Sequence, residues 1–162
     1  MNEADMAYLH RLEDALDALY NSHRFRRTLS YLFDECALSP YELFGAFGAV
    51  IPAHGTPLAS YTDAFFDFAC TLPNVDRHRL RDLMLWDRLA SVPDHALPKR
   101  LYLYDARLAA VKKALQARFA ECECAERIGI GILYTTGEAL AVAYTQKHPI
   151  TGEYPSYTMP LP

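Results

Sequence analysis

The sequence predicts an α+β protein: mainly α, about six helices, closed by a small antiparallel β-hairpin or three-stranded sheet. Three observations carry this. Apolar side chains recur at helical spacing over most of residues 3–124. At Arg127 the period changes from 3.6 to 2, with isoleucines at 128, 130 and 132 alternating with glycines at 129 and 131. Turn chemistry at Thr135-Thr136-Gly137-Glu138 then divides residues 127–160 into strands.

Leu9, Leu12, Leu16, Leu19 and Tyr20 define a first amphipathic helix over residues 3–20. Asn21 and Ser22 interrupt it, and Ser22 is the expected cap of a second helix bearing Phe25, Leu29, Leu32, Phe33 and Cys36. Ser39-Pro40-Tyr41-Glu42 is a start signal of three parts: a capping serine, proline at the first helical position and glutamate three residues after the cap. The third helix runs from there to about Val50, burying Leu43, Phe44 and Phe47, and Gly45 and Gly48 permit a close neighbour. Tyr61, Phe65, Phe68 and Leu72 mark a fourth helix ending before Pro73, and Asp76 caps a fifth over about 77–90. A Pro-containing loop, 91–100, leads to a long helix from about Tyr104 to Cys122 with Leu108, Val111, Leu115 and Phe119 as its buried line. After the hairpin, a second turn at His148-Pro149-Ile150-Thr151-Gly152-Glu153 precedes a short strand near Ser156 to Met159, where prolines at 155, 160 and 162 limit pairing.

A length of 162 residues fits one domain, 1–162, with a core that removes roughly 68 to 70% of the unfolded chain's surface from water. The net charge of −4 argues against a nucleic-acid surface. The basic group His23, Arg24, Arg26 and Arg27 reads as a solvated helix face, with phosphate binding the alternative. No apolar run reaches the ~20 residues of a bilayer crossing. The acidic start MNEAD lacks a signal peptide's basic region, and cysteines at 36, 70, 122 and 124 do not form a disulfide framework. A reducing, cytoplasmic setting is the expectation.

Catalytic signatures are missing: no Walker loop, no GxSxG elbow, no HExxH, and no GxGxxG following a strand. Cys122 and Cys124 are too closely spaced for the usual soft-metal pairs and read as helix-end core residues. Six scattered histidines show no paired spacing, although His54 and His95 lie in loops. The sharpest feature is Asp87. At 100° per residue it shares an arc with Leu80, Leu83 and Met84, and a carboxylate there costs several kcal/mol unless cations or donors meet it. Lys99, Arg100 and Arg107 are the expected partners, so Asp87 reads as a structural acid pinning the helix of Trp86, the only tryptophan, to the basic loop. Trp86, Asp87, His95, Lys99 and Arg100 are thus structural or interface candidates, and no catalytic, cofactor-binding or metal-ligating residue is assigned.

Tyr20-Asn-Ser-His-Arg-Phe25, Ser39-Pro-Tyr-Glu-Leu-Phe44, Leu85-Trp-Asp-Arg-Leu89, Pro98-Lys-Arg100 and the Lys147-His-Pro-Ile-Thr-Gly152 turn, in this order and spacing, resemble the carboxy-terminal domain DUF4080 of cobalamin (B12)-binding radical S-adenosylmethionine proteins. The resemblance spans nearly the whole chain. It implies a parent protein, resembling an Fe-S oxidoreductase, in which a B12-binding domain and a radical SAM barrel with a CxxxCxxC motif come first. S-adenosylmethionine, a 4Fe-4S cluster and cobalamin are implied for that parent, and none of them for this chain, whose cysteines do not match the motif. The implied role is an accessory domain, with the radical SAM and B12-binding domains of the same polypeptide as partners. The alternative is an autonomous helical protein-protein interaction module; a small independent enzyme is the third reading, without a visible nucleophile and base.

Overall fold

The computed structural model describes residues 2–93, 96–121 and 127–162. Helix α1 (Glu3–Leu16) starts from a capping box that the sequence reading passed over. Asn2 accepts the Asp5 N–H at 2.8 Å, and Asp5 accepts the Asn2 N–H at 3.0 Å. A π-helical turn, Asp17–Asn21, carries α1 on to the expected end. Helix α2 (Arg26–Ser30) likewise continues into a π turn, Tyr31–Glu35. Ser22 does not cap it. The Ser22 hydroxyl donates back to the Ala18 carbonyl at 2.7 Å, and Phe25 occupies the cap position with no side-chain bond. The first N–H groups of α2 therefore need another acceptor.

Helix α3 (Pro40–Gly48) begins at Ser39 as expected, the serine oxygen lying 3.5 Å from the Glu42 nitrogen. A Cβ at Gly48 would lie 2.5 Å from the Arg11 carbonyl oxygen, so the absent side chain is what lets α1 and α3 touch. Helix α4 (Leu58–Ala69) completes an aromatic core around Phe47, whose ring lies 5.0 Å from Phe65 and 5.2 Å from Phe68. Helix α5 (Arg77–Ser91) is capped by Asp76, which accepts the Arg79 N–H at 2.8 Å, and nine of its 15 residues are buried. It is the central element of the fold.

Strands β1 (Ile128–Ile132), β2 (Glu138–Ala143) and β3 (Ser156–Pro160) form an antiparallel sheet in the order β1-β2-β3. Glycines 129 and 131 share one sheet face with Leu140, Val142, Ser156 and Thr158. That face lies on α5. A Cβ on Gly131 would meet the Leu85 side chain at 2.8 Å, so glycine here admits the central helix rather than marking a bulge. The opposite face carries the isoleucines, Ala139, Ala141, Ala143 and Tyr157 and is covered by α6 (Arg107–Glu121), whose Phe119 ring lies 6.3 Å from Tyr157. Only Val111 of α6 is buried. The expected buried line is shallower than its spacing suggests, with Leu108, Leu115 and Phe119 half-buried. A lone helix on the outer face of three strands has solvent on its remaining sides. Cys36 is buried and Cys70 half-buried; Cys122 and Cys124 lie outside the described residues.

Candidate functional site

Helix α5 buries two carboxylates, and each one fastens a remote segment. Asp87 is 2% exposed. Its Oδ1 accepts the Arg27 N–H at 3.1 Å and lies 3.3 Å from the Arg27 Nη1; its Oδ2 accepts the Thr28 N–H at 2.9 Å and the Thr28 hydroxyl at 2.8 Å. Asp87 is thus the missing cap of α2, supplied by a helix some 60 residues further along the chain. The Arg27 guanidinium also grips Glu153 through two bonds, of 2.6 and 3.0 Å, and lies 5.2 Å from the Trp86 ring centroid. The Trp86 indole N–H donates to the Ser156 hydroxyl at 3.0 Å. Burial raises the Asp87 carboxyl to about 6, against the opposing pull of Thr28 and Arg27. Burial by itself would lower Arg27, but Glu153 and Asp87 outweigh it and hold the guanidinium above its ordinary value.

The expected partners of Asp87 are corrected by this geometry. Lys99 and Arg100 turn toward α4, where their N–H groups donate to Asp63 at 3.1 and 2.8 Å, and the Arg100 side chain pairs with Asp67. Arg107 pairs with Asp105. The loop that follows α5 leaves on the α4 side, whereas Asp87 faces α2. The basic group near residue 24 is also not simply a solvated face, since Arg27 is half-buried in the Asp87 and Glu153 pairs and Arg26 donates to the Thr151 carbonyl at 3.0 Å. His95 lies outside the described residues, and His54 is exposed.

Asp82, which the sequence reading passed over, repeats the arrangement five residues earlier. It accepts the Tyr134 and Thr135 N–H groups, each at 2.8 Å, and the Thr135 hydroxyl at 2.7 Å, so it holds the turn of the β1-β2 hairpin. Its cation is Arg81, 2.9 Å away, which also donates to the Ile132 and Leu101 carbonyls. Burial lowers the Arg81 guanidinium, with Asp82 opposing. The signal was available, because Asp82 shares the Leu85 and Leu89 arc of α5 as Asp87 shares that of Leu80 and Met84.

The turn after β2 docks on the same region. His148 Nδ1 accepts the Ile150 and Thr151 N–H groups, each at 3.3 Å, the Tyr154 N–H donates to the Ala90 carbonyl at 2.9 Å, and Lys147 reaches the Ser91 carbonyl at 3.2 Å. Between this turn and α2 lies an open cleft of about 420 Å³, edged by Arg26, Arg27, Tyr31, Glu35, Leu83 and Glu153. Among the described residues no group of three or more His, Cys, Asp or Glu side chains could hold a metal ion, and no helix is long and apolar enough to cross a membrane.

Fold and site together define a mainly helical α+β protein whose buried charges join helices to a terminal sheet. The family described as a protein of unknown function, DUF4080, matches residues 2–128, and the chain belongs to it. The match ends at the first residue of β1, before Glu153, Ser156 and the two strands that complete the sheet. No curated protein and no solved structure matches the chain.

Proposed function

We propose that the chain is a non-catalytic accessory domain of a B12-binding radical SAM protein, packing against the radical SAM barrel and shielding its active site or contributing to substrate recognition. The observation behind this reading is how the buried charges are used. Asp82 and Asp87 bind backbone N–H groups of distant segments, Arg81 binds two carbonyls, and Arg88 donates to the Val92 and Ala96 carbonyls at 3.1 and 3.3 Å. Each is committed to holding shape. The consecutive Tyr102, Leu103 and Tyr104, 61%, 38% and 75% exposed, supply an apolar surface suited to a neighbouring domain.

The cofactors of such a parent would belong to its other domains. The four cysteines of this chain have no CxxxCxxC spacing, and Cys36 is buried with its Sγ 3.4 Å from the Asn74 carbonyl oxygen, so these residues do not fit a 4Fe-4S cluster. Calorimetric titration of the chain with S-adenosylmethionine and with cobalamin tests the reading; heat from neither is expected, and micromolar binding of either would sink it. Reading the coding sequence on both sides of the segment for CxxxCxxC tests the parentage. An autonomous interaction module has one observation in its favour, an apolar groove of about 250 Å³ lined by Leu19, Tyr20, Leu29 and Phe33. A coding sequence with no adjoining radical SAM barrel would select it.

A further inference from the structure

We infer that a cleft between the approach to α2, the end of α5 and the turn after β2 binds a small soluble phosphate monoester. The basic group of residues 23–27 divides in two. Arg27 is taken by Asp87 and Glu153, and Arg26 by the Thr151 carbonyl. His23 and Arg24 are exposed, and neither the imidazole nor the guanidinium has a hydrogen-bond or ion-pair partner among the described residues. Both residues border a cleft of about 470 Å³ whose wall also includes Ser91, Lys147 and Thr151. It shares only Thr151 with the cleft edged by Arg27 and Glu153. Basic residues from segments far apart in sequence thus meet at one concavity, and no described carboxylate lines it.

The backbone holds these residues in place. His23 stands at φ 56°, an uncommon left-handed conformation for a residue with a Cβ, and conformations of that kind gather at ligand sites. The Ser22 hydroxyl oxygen accepts the Arg24 N–H at 3.3 Å. On the other wall the His148 ring and Gly152, at φ 69°, close the turn. Lys147 gives one N–H to the Ser91 carbonyl, which leaves its other donors for a ligand. The carbonyls that end α5 make no claim on Arg24, since Ala90 accepts from the Tyr154 N–H, Val92 from Arg88 and Pro93 from Arg127.

Donor chemistry selects the ligand. A guanidinium offers paired N–H groups that match two oxygens of one phosphate, an ammonium adds a compact charge, and an imidazole adds a further N–H. Three donors of different shape suit a tetrahedral dianion better than a planar carboxylate. A volume of about 470 Å³ falls within the ordinary range of small-molecule sites, about 300 to 1,000 Å³, so there is room for the body of an ester beside Pro149 and Ile150. A lipid surface fits less well, because Ile150 is the only exposed large apolar side chain on this wall and the chain carries −4 overall. The inference goes beyond the accessory role, which assigns this chain no ligand, and does not depend on it.

Titration of the chain with phenyl phosphate, glycerol 3-phosphate and glucose 6-phosphate, followed by amide NMR shifts, is the test. At least one ester is expected to saturate at submillimolar concentration, with its shifts centred on residues 22–24 and 147–152. Inorganic phosphate and the carboxylate counterparts benzoate and glycerate should bind at least tenfold more weakly. Arg24 has no partner to lose, so Arg24→Gln keeps the fold and weakens binding at least tenfold, whereas Lys113→Gln, at an exposed lysine of α6 outside the cleft, leaves it unchanged. The inference is overturned if no ester saturates at millimolar concentration, if the shifts fall elsewhere, or if Arg24→Gln binds as the wild type does. It is also overturned if Lys113→Gln loses as much, if inorganic phosphate or a carboxylate binds as tightly as the best ester, or if phosphatidic acid vesicles capture the chain and that ester does not release it.

Discussion

Asp82 and Asp87 sit on one helix, and each accepts two consecutive backbone N–H groups and one threonine hydroxyl, yet their cations come from opposite directions. Arg81 is the chain neighbour of Asp82 and is buried with it, with side chains 9% and 7% exposed. Arg27 reaches Asp87 from a helix far away in sequence, stays 30% exposed and divides its charge with Glu153. The hairpin turn is thus held by a pair that α5 carries complete. The α2 clasp exists only when three separate segments have met. A buried acid with an adjacent cation is a property of one helix, whereas one with a remote cation is a property of the whole fold.

That contrast can be broken most directly at the acids. Asp82→Asn leaves Arg81 buried without its counter-charge, so a loss of about 3 to 5 kcal/mol is expected. Asp87→Asn leaves Arg27 paired with Glu153 and should cost less, about 2 to 3 kcal/mol. Urea unfolding of both variants settles the order, and an equal or larger loss for Asp87→Asn would refute the account of Arg81.

The pH dependence sharpens the difference. Since the folded-state value of Asp87, about 6, lies above its ordinary 3.8, its contribution to stability is complete below about pH 4 and is lost as pH rises through 6. The wild-type protein should therefore gain on Asp87→Asn as pH falls from about 7 to about 4. A constant gap between the two melting curves would remove Asp87 as the titrating group. For the outer half of the clasp, a double-mutant cycle on Arg27→Met and Glu153→Gln should give a coupling of about 1 kcal/mol, weakened by salt. The smallest effect is Ser156→Ala, about 1 kcal/mol or less, with a change in the emission of Trp86, the only tryptophan. An unchanged spectrum would place the indole elsewhere.

Much of this was legible along the chain because the signals are local. Ser39-Pro40 starts α3, Asp76 caps α5, and the Ile-Gly alternation and Thr-Thr-Gly turn define the hairpin. The burial of Asp87 was legible too, since angular position on a helix follows from spacing. Its partners were not. Nothing within ten residues of Asp87 points to Arg27 or Glu153, and the loop carrying Lys99 and Arg100 is held on α4, where both backbone N–H groups donate to Asp63 and the Arg100 guanidinium pairs with Asp67. Asp82 escaped notice because flanking Arg79 and Arg81 give its half of α5 the look of a solvated turn. The shallow seat of α6 shows the remaining gap, for an apolar stripe names the face of a helix and not how much will cover it.

The Arg27–Glu153 bridge joins residues 126 apart. Contacts of that span close late, because the loop between them must be ordered before they return any energy. During synthesis the sheet-facing side of α5, with Leu85 and Leu89, is fully covered only once both β1 and β2 have followed, and the clasp waits for Glu153. The emerging chain therefore carries an open apolar helix face for the time needed to make more than 40 further residues, roughly 2 to 10 s at ordinary elongation rates.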